Sequence, residues 1–347
     1  MSSLAEVARR AGVSKATASR ALSGAINVSP AARERVSAAA AELGYVVSST
    51  AASLVTGRTK NVGVITPFIN RWFFAEVLEG IEGALIYAGY DLTLFRLPPE
   101  PDQRSRLFRY FLVRKRVDAI ICVGVELAPG EVELIQALRR PAVGIGGAIP
   151  GITTMCIDDE KASRLATRHL IGLGHTRIVH IGGDLDAQLD FQVHTRRLTG
   201  FRAAMSEAGL AHDDDFRPTT FSVPGGYEAA LALLADPETR PTAIVAGCDE
   251  IAIGAITAAR QLGIVVPSGL SVVGIDDHPY SEMFGLTTVR QRPGEQGELA
   301  VDLVMRAMTD ADGGLPPTAI DIPISLVVRS STTAPRHAAG SSDMPKT

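Results

Sequence analysis

The pattern of hydrophobic and polar positions divides the chain into two parts. In residues 3–44, apolar side chains recur every three or four positions, which predicts three short amphipathic helices. The first helix begins at a capping box formed by Ser3 and Glu6. The second runs from Lys15 to Leu22, and the third begins with Pro30 at its first helical position. The first part of the chain is therefore expected to be a small all-α unit.

From Asn61 onward the pattern changes to short apolar runs that alternate with helical stretches. The runs "VGVI", "LTLF" and "DAIICVG" each precede such a stretch, and after "MCIDD" the scheme restarts with "RIVHIGG", "AIVAG" and "SVVGIDD". Repeated β-then-α units predict parallel sheets. More than six such units over about 270 residues favour two lobes.

Composition allows more than one buried core, since the chain has 347 residues of which 46% are hydrophobic. The distribution of charge is more informative than the net charge of -4. Residues 1–60 contain eight Lys and Arg against three Glu, a net charge of +5, which leaves -9 on the remainder. A basic head on an acidic body is typical of a head that meets a polyanion, although a chance imbalance of surface charge is the alternative.

The N-terminal sequence and the cysteines favour a cytoplasmic protein. Residues 1–20 contain no apolar core of a signal peptide, and no run of about 18 apolar residues predicts a membrane span. Cys122, Cys156 and Cys248 are odd in number and each falls in an apolar stretch. We expect buried thiols in a reducing compartment, no contact with a membrane, and a disordered tail over residues 334–347.

Helix, tight turn, helix and a supporting helix is the layout of a helix-turn-helix DNA-binding domain, whose second helix enters the major groove. That helix reads "KATASRAL". Lys15 and Ala16 lie at its N-terminal end, where base edges are reached, and Arg20 is long enough for a guanine edge or a phosphate. Thr17 and Ser19 are short donors suited to phosphate oxygens. The structural alternative is a solvated three-helix cap on a larger domain.

The head, "LAEVARRAGVSKATASRALSGAINVSPAARERVSAAAAELGY", resembles that of the lactose-repressor (LacI/GalR) family of transcription regulators. The resemblance continues through "HLIGLGHTRIVHIGG", "EIAIGAITAARQLGIVVPSGLSVVGIDD" and "LTTVRQRPGEQGELAVDLV". It implies an all-α helix-turn-helix head with a hinge helix, followed by a two-lobed α/β effector domain of the periplasmic-binding-protein type (type I) with parallel sheets. It further implies a homodimer on pseudo-palindromic double-stranded DNA and a small effector, most commonly a sugar, between the lobes.

The resemblance also implies domain boundaries. We expect a DNA-binding domain over residues 1–46, a hinge or linker over 47–60, and an effector-binding and dimerisation domain over 61–333. Lobe 1 would comprise about 61–157 and 290–319, and lobe 2 about 158–286 and 322–333. The chain would cross between the lobes near Ile157–Asp159, Leu286–Arg290 and Ala319–Ile322. Because the tail lacks a leucine heptad, a dimer is expected rather than a tetramer.

In parallel α/β lobes, ligands bind at the carboxyl ends of the strands. In lobe 1 this position offers Asn70, Phe73 and Phe74. An aromatic ring there would stack on a sugar ring or a base. For either Phe the alternative is that it belongs to the core face of the following helix.

In lobe 2, the resemblance implies that Arg197, Phe221 and Asp276 bind the effector. An arginine fork suits hydroxyls or a carboxylate, and the Asp carboxylate would accept from two sugar hydroxyls. Asp249 follows "AIVAGC" and could act in the same way, but capping the next helix explains it equally well. The family usually has Asn where this chain has Cys248, and a thiol does not replace an amide that both donates and accepts.

The segment "DLDAQLDFQVH" before Arg197 is unusually apolar around Phe191 and Val193. The apolar character of this segment and the thiol of Cys248 both make a strongly polar sugar a less favoured effector.

The hinge is the least regular match to the family. Ser48 or Ser49 would cap a helix over residues 51–55, and Leu54 matches the family's wedge, which opens a central base step from the minor groove. The family usually has Pro-Asn where this chain has Val47-Ser48, and Arg where it has Ala52. We expect the wedge to be retained with weaker electrostatic support.

Two other classes of protein remain as alternatives. A solute-binding protein would share the body fold, but the basic head and the absent signal peptide argue against it. An enzyme has little support, because Pro150 spoils the glycine-rich "GIGGAIPG" as a dinucleotide fingerprint and no catalytic constellation is present. His169, His175 and His180 fall on a helix and then a strand, which scatters them, so we expect no metal, no cofactor and no catalysis.

Overall fold

The computed structural model describes residues 2–22, 27–45, 58–114, 117–184, 191–310 and 315–336. Residues 2–22 and 27–45 form three helices, α1 (Leu4–Ala11), α2 (Lys15–Leu22) and α3 (Pro30–Glu42). The predicted capping box is confirmed, since the Ser3 amide donates to Glu6 at 2.6 Å and the Glu6 amide donates to the Ser3 hydroxyl at 3.3 Å. Ala18 and Ala21 face the core of the head, which turns the opposite face of α2 outward.

Lobe 1 is an α/β layer structure built on a parallel sheet. Its strands are β1 (Asn61–Thr66), β2 (Asp91–Arg96), β3 (Ala119–Val123), β4 (Ala142–Ile145), β5 (Thr153–Cys156) and β11 (Ala319–Asp321). Its helices are α4 (Trp72–Ala88), α5 (Pro101–Arg114), α6 (Pro129–Ala137) and α11 (Pro293–Thr309). Within the described residues the strand order is β11-β5-β4-β3-β1-β2.

Lobe 2 repeats this architecture. Its strands are β6 (Ile178–Gly183), β7 (Phe216–Thr219), β8 (Ala243–Ala246), β9 (Ser271–Asp276), β10 (Thr287–Arg290) and β12 (Ser325–Val327). Its helices are α7 (Asp159–Gly172), α8 (Val193–Glu207), α9 (Val223–Leu234) and α10 (Asp249–Gln261). The described strands lie in the order β12-β10-β9-β8-β6-β7, with β12 antiparallel to β10.

The central strands are buried along their whole length, as β3, β8 and β9 show. A parallel sheet with helices on both faces has no solvent-facing side, which explains why these strands are continuous apolar runs rather than alternating patterns. Each sheet separates two apolar clusters, one on each face. The two-lobed α/β fold with parallel sheets expected from the sequence is therefore confirmed.

The chain passes between the lobes after β5, after β10 and after β11. The second and third crossings lie at the late end of the expected ranges. Ala319–Asp321 still pairs with Thr154–Cys156 in lobe 1, so the third crossing begins at Ile322. The second was expected near Leu286–Arg290. Thr287–Arg290 instead pairs with Val273–Asp276 inside the sheet of lobe 2, so the chain leaves that lobe at Gln291 and Arg292. The strand continues because Thr287, Thr288 and Val289 are buried between the helices of that lobe.

The carboxyl ends of the central strands of the two sheets face each other across a cleft, where the loops that follow them meet. No helix among the described residues has the length and apolar character needed to cross a membrane.

Candidate functional site

The outward face of α2 carries the residues predicted to contact DNA. Lys15, Ala16 and Arg20 are exposed, whereas Thr17 and Ser19 are partly buried. The helix contains no acidic residue. It therefore presents cationic and small side chains to solvent while Ala18 and Ala21 pack inward, an arrangement suited to the surface of a polyanion.

The start of α2 is organised by its own hydroxyls. The Ser14 hydroxyl accepts from the Thr17 amide at 3.1 Å and shares a 2.8 Å hydrogen bond with the Thr17 hydroxyl. This cap supplies the first turn with a partner for one of its amides. The Thr17 hydroxyl thus already has a local partner, and a phosphate contact from it would have to coexist with or replace that bond.

The hinge positions Val47, Ser48, Ala52 and Leu54 lie outside the described residues. Their roles remain predictions from the sequence.

The cleft between the lobes encloses about 730 Å³, including space that opens to solvent. Lobe 1 lines it with Arg71, Phe73, Phe74, Gly124, Gly146 and Gln296, and the crossings add Ile157 and Gln291. Lobe 2 lines it with Asp159, Val193, Arg197, Phe221, Cys248, Glu250 and Asp276. Six of the eight predicted effector-binding residues are thus brought together at one place.

Arg197 is the centre of a buried network rather than a free cation. It is 5% exposed, and its Nε donates to Asp159 at 2.9 Å. Its Nη1 donates to the carbonyl of Gly247 at 2.5 Å and lies 4.0 Å from the Asp276 carboxylate. Much of its donor capacity is therefore directed at the protein, and only its remaining N–H groups are available in the cleft.

The carboxylate of Asp276 is placed in the cleft by an unusual turn at the end of β9. Its φ of 135° lies in the region that favours glycine, and Asp277 follows with a φ of 61°. Arg290 and Arg329 each hold Asp277 at 2.6 Å, and Gln291 donates to Asp276 at 2.6 Å. Burial raises the pKa of Asp276, and the nearby Arg197 lowers it in opposition.

Asp249 does not line the cleft, which corrects the expectation from the sequence. One of its oxygens accepts from the Thr288 hydroxyl at 2.6 Å. The other accepts from the Ser281 hydroxyl at 2.6 Å and the His278 amide at 2.9 Å. The carboxylate is fully buried and ties the loop after β9 to α10 and β10.

Asn70 is also absent from the cleft lining. It is exposed in the loop between β1 and α4, and its neighbour Arg71 lines the cleft instead. The Arg71 guanidinium stacks over the Phe68 ring, 3.6 Å from its centroid.

Aromatic side chains face each other across the cleft. Phe73 and Phe74 come from the first turn of α4, with ring centroids 5.3 Å apart and planes at 89°. Phe74 is 5% exposed and packs in the core of lobe 1 as well as lining the cleft. Its core role is confirmed, and its contact with an effector stays a prediction. Opposite them, Phe221 contacts His194 with ring centroids 4.3 Å apart. The cleft is therefore lined by aromatic rings from both lobes together with a small set of polar groups.

Several cleft residues were missed in the sequence. Gln296 is 2% exposed, and its Nε2 has no hydrogen-bond partner in the described part of the chain, which leaves a buried donor at the cleft. Burial raises the pKa of Glu250 in lobe 2, whereas Arg71 of lobe 1 lowers it across the cleft. Nothing in the sequence around Gln296 indicates that its side chain is buried at a cleft. Arg71 and Glu250 are 179 positions apart in the sequence, so only the fold brings them together.

Two family models match the chain. "Bacterial regulatory proteins, lacI family" matches residues 3–48, and "Periplasmic binding protein-like domain" matches residues 167–332. The ribose operon repressor of Escherichia coli (strain K12) is 34% identical over 318 residues, which cover 89% of this chain and 94% of that protein. The chain belongs to the lacI family.

Solved structures of the lacI family agree with this assignment. The lac repressor dimer bound to operator and the anti-inducer ONPF superposes with a TM-score of 0.83 at 26% identity, covering 96% of this chain and 99% of that one. The complex of the transcriptional regulator CelR with cellobiose gives a TM-score of 0.68 at 27% identity, covering 95% and 100%. As a member of the lacI family, the chain is a DNA-binding transcription regulator controlled by a small-molecule effector.

Within the described residues, no three His, Cys, Asp or Glu side chains are grouped in a way that could hold a metal ion. His180 is fully buried with its Nδ1 bonded to the Val245 carbonyl at 2.9 Å, and burial lowers its pKa to about 4. It is a neutral core residue of lobe 2.

Proposed function

We propose that this regulator is a homodimeric repressor whose affinity for a pseudo-palindromic operator is controlled by a neutral, hydroxyl-bearing effector of the sugar type. The effector lies in the cleft between Phe73 and Phe74 on one side and Phe221 on the other. The protein acts in the cytoplasm, where bacterial DNA lies, and it has no catalytic role.

The observation that carries the proposal is that the charges of the cleft compensate one another. Arg197 is paired with Asp159 and lies 4.0 Å from Asp276, while Arg71 and Glu250 line the same cleft from opposite lobes, and the charge of Arg71 lowers the pKa of Glu250. An anionic ligand would find no uncompensated cation there and would meet three carboxylates. A neutral ligand avoids this cost.

The remaining polar groups suit hydroxyls. Asp276 can accept a hydrogen bond from a hydroxyl, and the Nε2 of Gln296, which has no partner among the described residues, can donate to a hydroxyl oxygen. The aromatic rings suit the apolar face of a pyranose or furanose ring. Cys248 supplies a buried, protonated thiol, since burial raises its pKa well above the ordinary value. This part of the floor contacts apolar or weakly polar groups of the ligand.

The names of relatives support the same class of effector. One is the repressor of a ribose operon and another is a regulator in complex with cellobiose. We extend from them the repressor role and a sugar-like effector.

For DNA, we assign Lys15, Ala16 and Arg20 to base edges and Thr17 and Ser19 to phosphates, because the first three are exposed on α2 and the other two flank its buried face. Leu54 is assigned to the minor groove on the sequence match alone.

A two-step experiment tests the proposal. Electrophoretic shifts with DNA upstream of the chain's own gene should show a specific complex with the wild type and with Arg260→Ala, and a weaker one with Arg20→Ala. Arg260 is an exposed arginine of lobe 2 and serves as the matched control. Absence of any sequence-specific complex from a folded dimer would favour a solute-binding protein.

A thermal-shift screen then compares neutral pentoses and hexoses with their phosphates. We expect a neutral sugar to raise the melting temperature of the protein by mass action, and the phosphate of that sugar to raise it less. Stabilisation by phosphates but not by neutral sugars would refute the assignment of the effector.

A further inference from the structure

One side chain of lobe 2, that of Phe191, is half-buried against lobe 1. Phe191 lies between β6 and α8, both of which belong to the sheet and helices of lobe 2. Its ring nevertheless packs against the apolar cluster of lobe 1 that contains Ile65, Ile149 and Ile152. The contact therefore spans the cleft rather than either lobe alone.

The receiving surface in lobe 1 is a pair of glycines after β4. A methyl group at Gly147 would overlap the Phe191 ring, and a methyl group at Gly146 would touch it at 4.0 Å. Gly146 also lines the cleft, so the ring packs beside the ligand space. Gly147 therefore leaves room for the aromatic ring that any larger residue at this position would displace.

The backbone of lobe 2 is bent to deliver the ring. Phe191 and Gln192 both have positive φ, 52° and 58°, a conformation that costs free energy for residues other than glycine. Two consecutive residues of this kind persist only where other contacts compensate. The contact of Phe191 with lobe 1 is such a compensation.

A second contact between the lobes provides a reporter. Trp72 at the start of α4 in lobe 1 lies against His278 of lobe 2, with ring centroids 4.9 Å apart. Trp72 is the one tryptophan of the chain. Its emission therefore reports separation of the lobes without any label.

We propose that Phe191 is a latch between the lobes, which inserts over Gly146 and Gly147 and holds the cleft closed before any effector binds. The latch concerns closure alone and does not depend on the identity of the effector. It sets the fraction of molecules in the closed state, and a ligand that binds the closed state gains or loses apparent affinity in proportion to that fraction.

The test uses the full-length protein without DNA and without ligand. Trp72 emission and the radius of gyration from small-angle scattering are measured for the wild type, Phe191→Ala and Gly147→Ala. Both variants should raise the open-to-closed ratio by about tenfold or more, the effect of losing about 1.4 kcal/mol of contact. Emission should shift to longer wavelength towards that of His278→Ala, which removes the partner of Trp72 directly, and the radius of gyration should increase.

Gln192→Ala is the matched control, because Gln192 is exposed and has the same backbone conformation as Phe191. It should behave as the wild type. Gly147→Ala changes no residue of lobe 2. It therefore still tests whether the contact of Phe191 with lobe 1 holds the cleft closed if Phe191→Ala unfolds lobe 2. Wild-type emission and scattering in Gly147→Ala, or an equal response in Gln192→Ala, would overturn the latch. Because no operator or sugar is present, the outcome is independent of the proposed function.

Discussion

Substituting Arg197 should change the cleft more than any other single substitution, because its guanidinium interacts with two buried carboxylates. Arg197→Met keeps the length and apolar stem of the side chain and removes its charge. Asp159 loses a 2.9 Å charge-assisted hydrogen bond, and Asp276 loses a cation at 4.0 Å. Removing one partner of a buried ion pair typically costs about 3–5 kcal/mol, because the other charge is left buried and unpaired. We expect a loss of that size in the free energy of unfolding near pH 8.

The loss should depend on pH in a definite direction. Burial raises the pKa of both Asp159 and Asp276, and Arg197 lowers both in opposition. Without Arg197 the folded-state pKa values rise further above the unfolded values. A group with a raised folded pKa stabilises the fold when protonated, and that contribution is lost as pH rises through the folded pKa. The difference between variant and wild type should therefore shrink from pH 8 towards pH 5.

Urea unfolding followed by circular dichroism at several pH values measures this. Asp159→Asn and the double variant complete a cycle, in which Asp159→Asn should recover part of the stability lost in Arg197→Met. The effector response should be lost in Arg197→Met while the folded fraction still binds operator. A destabilisation that is the same at pH 5 and pH 8, or a coupling energy between Arg197 and Asp159 below about 0.5 kcal/mol, would show that Arg197 does not hold these carboxylates in their charged form, since contacting charges normally couple more strongly.

Three other predictions concern separate parts of the chain. Arg20→Ala should weaken specific operator binding by about 1–3 kcal/mol, the usual value of a good base contact, and an unchanged affinity in gel shifts would remove Arg20 from the base-reading set. Leu54→Ala should reduce both operator affinity and DNA bending measured by circular permutation assays, and if neither changes, residues 47–60 act as a plain linker. Asp249→Ala should lower the free energy of unfolding by about 2–4 kcal/mol, because three donors lose their acceptor, while sugar affinity per folded molecule stays the same. A selective loss of sugar binding in that variant would return Asp249 to the effector site.

Features determined by neighbouring residues were predictable from the sequence. The capping box of Ser3 and Glu6 depends on one helical turn, and the inward faces of Ala18 and Ala21 follow from helical periodicity. The continuous apolar strands of both lobes likewise follow from burial on two faces. The secondary structure and the class of the fold could be predicted from these local patterns.

The sequence predictions that the structure corrects concern residues whose surroundings are set by segments far away in the chain. Asp249 follows a buried strand, as a ligand-binding carboxylate would, but three donors from residues 278, 281 and 288 occupy it. The position of the second crossing depended on whether Thr287–Arg290 ended or extended a sheet, and the pairing with β9 extends it. The apolar character around Phe191 was visible in the sequence, but its partner Gly147 lies in the other lobe and gives no signal of its own.

A ligand in the cleft should change the affinity of the head for DNA. Fluorescence anisotropy of a labelled operator duplex, titrated with the full-length protein with and without the stabilising neutral sugar, measures that change. We expect operator affinity to change at least fivefold in the wild type and not at all in Phe221→Ala, with equal affinities of the two proteins in the absence of sugar. An operator affinity that stays the same while the sugar is bound to the wild type would show that the cleft does not control the head.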